Sequence, residues 1–165
     1  MDRGFLFGDG VYEVIPAYGG RLFRLRHHLE RLDRSLAAIR MGNPHTLEEW
    51  QAVLGRLVAQ LEAPDQAVYL QITRGVASKR DHAIPVGVSP TIFAMTNAIE
   101  PLAPEVASQG VAAITTLDLR WQLCHVKAIT LLANVLSRAQ ATEAGAVEAI
   151  LVRDGPCQGG IEEVR

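Results

Sequence analysis

The sequence has little of several things that would fix its class at once. Its 165 residues include two cysteines, Cys124 and Cys157. Their separation gives neither a disulfide framework nor a metal-ligand spacing, so free thiols in a cytoplasmic protein are the default expectation, with no metal ligands. No apolar run approaches the roughly 18 to 20 residues that a membrane-spanning helix needs, so no membrane is expected as a partner. The opening MDRGFLFGDGVYE carries Asp2 and Asp9 and has no apolar segment of the kind a signal peptide requires. Charge of one sign is missing too. Sixteen Lys and Arg against eighteen Asp and Glu leave a net charge of −2, which provides no basic field for nucleic acid. Repeats and low-complexity tracts are absent.

What is present is a globular composition, 48% hydrophobic and 21% charged, so a packed core is expected rather than disorder. Val11 to Tyr18 reads as a strand, Gly19-Gly20 as a hairpin turn, and Arg21-Leu22-Phe23 as the start of the return strand. Leu29, Leu32, Leu36 and Ile39 recur at helical spacing and predict an amphipathic helix over 25–41, ended by Gly42-Asn43-Pro44. Thr46 and Glu49 form a capping box that opens a second helix, to about Ala63. Strands are expected over 66–74, 91–97, 111–117 and 147–152, and a helix over 129–144 with Gly145 as its C-cap. Residues 75–90 read as a long loop, a feature that is often functional in a compact domain. Pro101 and Pro104 mark a linker, and Asp154-Gly155 a tight turn. The mixture is α+β, without a strict strand–helix rhythm. Both ends look abrupt, with a turn running into a strand at the start and a halt soon after a strand at the end. A piece of a longer protein is therefore expected.

Chemistry concentrates at a few positions. Lys127 stands in the apolar run of WQLCHVKAITLLANVL. One reading is a lysine whose stem packs on apolar neighbours while its head reaches water. The other is an amine placed to form a Schiff base, because a desolvated amine attacks carbonyls well. Arg31, in HHLERL, is either a solvated helix arginine or an anion ligand. Arg80 and His82, in KRDH, belong to a solvated basic loop or hold a substrate carboxylate. Tyr12 either points a phenol into a site or is simply packed. Gly4, Gly8 and Gly10 do not have dinucleotide-binding spacing and precede a strand, so they read as a glycine-rich turn.

Three stretches, DRGFLFGDGVYEVIPAYGGRLFRLRHHLERLDRSLAAIRM, YLQITRGVASKRDHAIP and HVKAITLLANVLSRAQATEAGAVEAILVRDG, together resemble the class IV, or fold-type IV, pyridoxal-phosphate aminotransferases. The resemblance covers residues 2 to about 155 and is nearest to the D-amino-acid branch. It implies a two-domain α+β architecture. Residues 1–100 would be an N-terminal α/β domain lacking its first strands, 101–106 the interdomain linker, and 107–165 the start of the cofactor-binding C-terminal domain. It implies pyridoxal 5′-phosphate as cofactor, amino-acid and 2-oxo-acid substrates, and a homodimer. Residue by residue, Lys127 matches the Schiff-base lysine, Arg31 the arginine on the cofactor phosphate, and Tyr12 an active-site tyrosine near cofactor and substrate. Arg80 and His82 match a pair that reaches across the dimer interface to the substrate carboxylate. Branched-chain enzymes lack that pair.

The resemblance breaks after LVRDG. The family's Thr-Glu-Gly motif, whose glutamate pairs with the pyridine nitrogen, is replaced by PCQGGIEEVR. Gly159 falls at the glutamate's place, with Glu162 and Glu163 three residues out of register. A reading-frame slip is the expected cause. The activity expected is amino transfer from D-amino acids to 2-oxo acids, impaired if the chain is incomplete. The alternatives are a branched-chain aminotransferase, an aminodeoxychorismate lyase, or an inactive remnant that only dimerises or binds.

Overall fold

The computed structural model describes residues 1–153. The chain divides into two compact units, the first made of Met1–Glu100 with Val126–Ile129, the second of Pro101–His125 with the residues from Thr130 on.

In the first unit the opening is a helix, α1 (Arg3–Phe7), where a turn was expected. The local signals are present in the sequence. Asp2 caps the first turn by accepting from the Gly4 N–H, and Gly8 ends it at φ 65°. Five residues are too few to display a helical period. β1 (Gly10–Tyr18) follows, and β2 (Arg21–Leu22) returns from Gly19-Gly20, both at positive φ as the tight hairpin demands. α2 (Leu25–Ala38) stops short of Met41, and Arg40 takes a left-handed φ of 57° beyond it. α3 (Leu47–Val58) has the expected capping box. It ends before Ala63, and the buried Gln66 amide takes over there, donating to the carbonyls of Val58, Leu61 and Ala63 at 3.1, 3.1 and 2.8 Å. A side chain from the next strand thus satisfies the carbonyls that the helix end leaves open.

β3 (Gln66–Thr73) and β4 (Thr91–Ala98) complete an antiparallel sheet of order β2-β1-β3-β4. Alternation sorts the residues between its faces. Val11, Ile15, Ala17, Val68, Leu70 and Ile72 join Leu29, Leu32, Leu36, Trp50 and Leu54 in the core. On the opposite parity Val14, Tyr18, Phe93 and Met95 are exposed, while Tyr12 and Thr73 are buried. The expected long loop runs from β3 to β4. At its root Gly75 has φ 94°, and a Cβ there would collide with the Ser89 carbonyl oxygen. Gly75→Ala is therefore expected to destabilise the unit by about 1–3 kcal/mol, read as a lowered urea midpoint at unchanged slope.

The second unit contains α4 (Pro104–Gln109), β5 (Ala113–Leu117), α5 (Leu132–Glu143) and β6 (Glu148–Val152), with β5 and β6 parallel. Pro104, in the expected linker, is the first residue of α4, the position where its missing N–H costs nothing. α5 begins at Leu132 rather than 129, and Gly145 follows its C-cap at φ 72°. The late start has a physical cause. Lys127, Ala128 and Ile129 are paired with β1 in the first unit, so Ile129 cannot also open the helix.

Candidate active site

β2 pairs with β1 only at Ala17 and Tyr18. The rest of that edge is open to another partner, and the segment around Lys127 takes it. The Tyr12 N–H donates to the Lys127 carbonyl at 3.0 Å, and the Ile129 N–H to the Gly10 carbonyl at 3.2 Å. The Lys127 N–H donates to Ser35 Oγ, on α2, at 3.2 Å. Val126 and Ala128 are buried and Lys127 between them is half-buried, so the backbone is clamped while the side chain projects. Its amine lies 4.2 Å from the centroid of the Tyr12 ring, within cation–π range. A contact of this kind is compatible with both readings of Lys127.

Tyr12 is buried and packs on Tyr69 at 5.7 Å, and Tyr69 packs on Phe93 at 6.4 Å. The Tyr69 hydroxyl donates to Gln71 Oε1 at 2.6 Å. Burial raises the pKa of that hydroxyl, with Tyr12 adding to the effect. The amine of Lys127 thus stands at one end of an aromatic row on the open face of the sheet.

On the other face Glu13 is 0% exposed. Arg31, on α2, donates to it from Nε at 2.7 Å and Nη2 at 2.6 Å, and His28 Nδ1 lies 2.9 Å from its second oxygen. Burial pushes the Glu13 carboxyl up, but Arg31 and His28 outweigh it and hold the group below the usual carboxylate range. Arg31 is therefore not merely a solvated helix arginine. Its fork is oriented by a buried carboxylate, while its side chain keeps 44% exposure. Sequence reasoning missed Glu13, although a signal was available. It is a carboxylate on the core-facing parity of β1, between Val11 and Ile15, and such a residue needs a cation facing it.

The structure brings Tyr12 and Lys127 together, while Arg31 meets the neighbouring Glu13 on the opposite face of β1. Arg80 and His82 are exposed on the long loop and make their ring contacts with Phe7, at the end of α1. Gly159, Glu162, Glu163, Cys157 and the Asp154-Gly155 turn lie outside the described residues. Among the described residues no group of three metal-ligating side chains gathers, and no helix is long and apolar enough to cross a membrane.

The profile of the family described as amino-transferase class IV matches residues 10–156. A D-alanine aminotransferase of Bacillus licheniformis is 44% identical over 155 residues, 93% of this chain and 54% of that protein. The chain spans about half the length of the curated relatives it matches. The structure of the Escherichia coli branched-chain amino acid aminotransferase superposes with a TM-score of 0.78 at 20% identity, over 93% of this chain and 54% of that one. A 4-amino-4-deoxychorismate lyase from Pseudomonas aeruginosa gives 0.75 at 26% identity, over 93% and 56%. A half-buried amine clamped at the sheet edge, and a family match that runs through it from residue 10 to residue 156, lead to one conclusion: the chain belongs to the class IV aminotransferases.

Proposed function

We propose that this chain carries the lysine-bearing part of a pyridoxal-phosphate-dependent aminotransferase that moves the amino group of a D-amino acid to a 2-oxo acid. The observation that carries the proposal is the seat of Lys127, with its backbone fixed by Tyr12 and Ser35 and its amine on the Tyr12 ring. The donor set fits the cofactor. An amine suits an aldehyde and a guanidinium suits a phosphate, and the Nε and Nη2 donors of Arg31 are already bonded to Glu13. When bound, the cofactor supplies an aldehyde and an electron-withdrawing ring that stores the electron pair released at the substrate's Cα. Lys127 Nζ would hold the cofactor's aldehyde and, once the substrate's amine had displaced it, would be the base for the proton at that Cα. Arg31 holds the phosphate, and Glu13 keeps the guanidinium aimed. The Tyr12 ring shields one side of the amine from water and limits its rotation.

Arg80 and His82 are proposed to bind the substrate carboxylate, across an interface between two copies of the chain. This pair supports the D-amino-acid reading over the branched-chain one, as do relatives bearing the name D-alanine aminotransferase. The lyase reading has its support in the Pseudomonas enzyme's structural likeness.

The test is borohydride reduction of the full chain with added pyridoxal phosphate, followed by peptide mass mapping. A reduced cofactor adduct on Lys127, absent from Lys127→Ala, is expected. Absence of an adduct at that residue would leave only an inactive member of the family. D-alanine with 2-oxoglutarate is expected to give pyruvate, and L-alanine none; the reverse outcome removes the D-amino-acid assignment.

A further inference from the structure

Phe7 is used by nothing described so far, yet three cationic or aromatic groups converge on its ring. The Arg80 guanidinium carbon lies 5.1 Å from the ring centroid, and the His82 ring centroid lies 5.1 Å away at a 44° tilt. The Arg3 guanidinium carbon lies 4.8 Å away. Arg3 also donates from Nη1 to the carbonyl of Asp81, the residue between Arg80 and His82, at 2.6 Å. Arg3 is itself buried and paired with Asp9 at 2.7 Å.

The short helix that presents Phe7 is firmly tied. Asp2 caps it and accepts from the hydroxyls of Thr73 and Thr91 at 2.9 and 2.7 Å, the two residues that bound the long loop. The Arg3 N–H donates to the Gly75 carbonyl at 2.9 Å. A loop with exposed Arg80, Asp81 and His82 would otherwise have to order two long side chains each time a ligand arrived, and that ordering opposes binding.

We infer that Phe7 is a positioning residue for the Arg80–His82 pair: its ring carries both side chains while Arg3 fixes the peptide between them, so the pair meets a carboxylate already ordered. This rests on the reading of Arg80 and His82 as the carboxylate-binding pair given above. The ring's negative face suits the guanidinium, and its size suits the imidazole. An apolar residue of equal bulk without that face would fill the space but not hold the cation.

The experiment is an NMR titration of the full 165-residue chain, labelled at histidine rings and arginine Nε. Pyruvate is the probe, and methyl pyruvate, which lacks the carboxylate, is the control. The parent chain is expected to show a ring-current shift at His82, and pyruvate alone to move the Arg80 and His82 signals. Phe7→Met removes the ring-current shift and weakens pyruvate binding about tenfold, whereas Phe7→Tyr keeps the affinity within about twofold. Phe7→Leu serves the same purpose if methionine disturbs α1. An unchanged His82 shift and unchanged affinity in Phe7→Met overturn the positioning role. If the Arg80→Ala/His82→Ala double variant binds pyruvate as the parent does, the carboxylate assignment fails instead. The His82 shift then still reports whether Phe7 orders the loop.

Discussion

Asp9→Ala is expected to cost about 3–5 kcal/mol of folding stability, a large fraction of the roughly 5–15 kcal/mol of an ordinary domain. Asp9 Oδ2 accepts from Arg3 Nε at 2.7 Å and from Arg74 Nε at 2.8 Å. The three side chains are 14%, 5% and 8% exposed respectively. Two guanidinium groups therefore share one carboxylate out of water. With the carboxylate removed, Arg3 keeps the Asp81 carbonyl and the Phe7 ring, and Arg74 the carbonyls of Ile39 and Arg40. Two buried positive charges then face each other uncompensated. Asp9→Asn keeps the shape and one acceptor and is expected to cost roughly half as much. Urea unfolding followed by circular dichroism reads both. A midpoint unchanged in Asp9→Ala would mean that the two arginines find water, and the hub would have no structural weight.

The Asp9 carboxyl also sets an acid limit. Burial pushes its pKa up, but the hydrogen bonds and charges of Arg74 and Arg3 win and hold it below the ordinary aspartate range. A depressed folded-state pKa gives stability that is fully present above the unfolded value, about 4, and is lost as pH falls through the folded value. The chain should therefore lose stability steeply below about pH 4, and Asp9→Asn should flatten that slope.

Glu13→Ala is expected to destabilise by about 2–4 kcal/mol, and to loosen cofactor attachment as well. The carboxylate is fully enclosed, but its partners are less so. Arg31 is 44% exposed and His28 18%, so both recover part of their solvation when Glu13 is lost, and the cost falls below that of Asp9→Ala. Glu13→Gln offers a neutral acceptor to the Arg31 fork and should cost less than Glu13→Ala. Its signature is a pH dependence. The Glu13 carboxyl is lowered like Asp9, so its contribution also disappears on the acid side of about pH 4, and Glu13→Gln should remove that share. If Arg31 holds the cofactor phosphate, Glu13→Ala also raises the concentration of pyridoxal phosphate needed for half-maximal adduct on Lys127. Equal stability in Glu13→Ala and the parent would sink the pairing as a structural element.

The elements were legible wherever their signals are local. The Gly19-Gly20 turn, the Thr46–Glu49 capping box and the alternation of Gln66–Thr73 each need only neighbours in sequence, and each element formed. Errors arose at the ends, where a distant partner decides. Gln66 takes up the carbonyls at the end of α3, and the edge of β1 holds Ile129 out of α5. Lys127 itself could be singled out because one amine in an apolar run is chemically conspicuous. Glu13 carries a local signal too, a carboxylate on the core-facing parity of β1, but the partner that gives it a role, Arg31, is 18 residues away on another element.

By itself, then, the sequence determined the alternation, the caps, the turn and the unusual lysine, since all of these are set by steric and hydrogen-bonding preferences within a few residues. Only the tertiary structure decided that Lys127 meets Ser35 across 92 residues and Arg3 meets Asp81 across 78. Such pairings follow from packing the sheet, helix and loop around one core, where the free energy of many weak contacts, and no short motif, selects which distant residues touch.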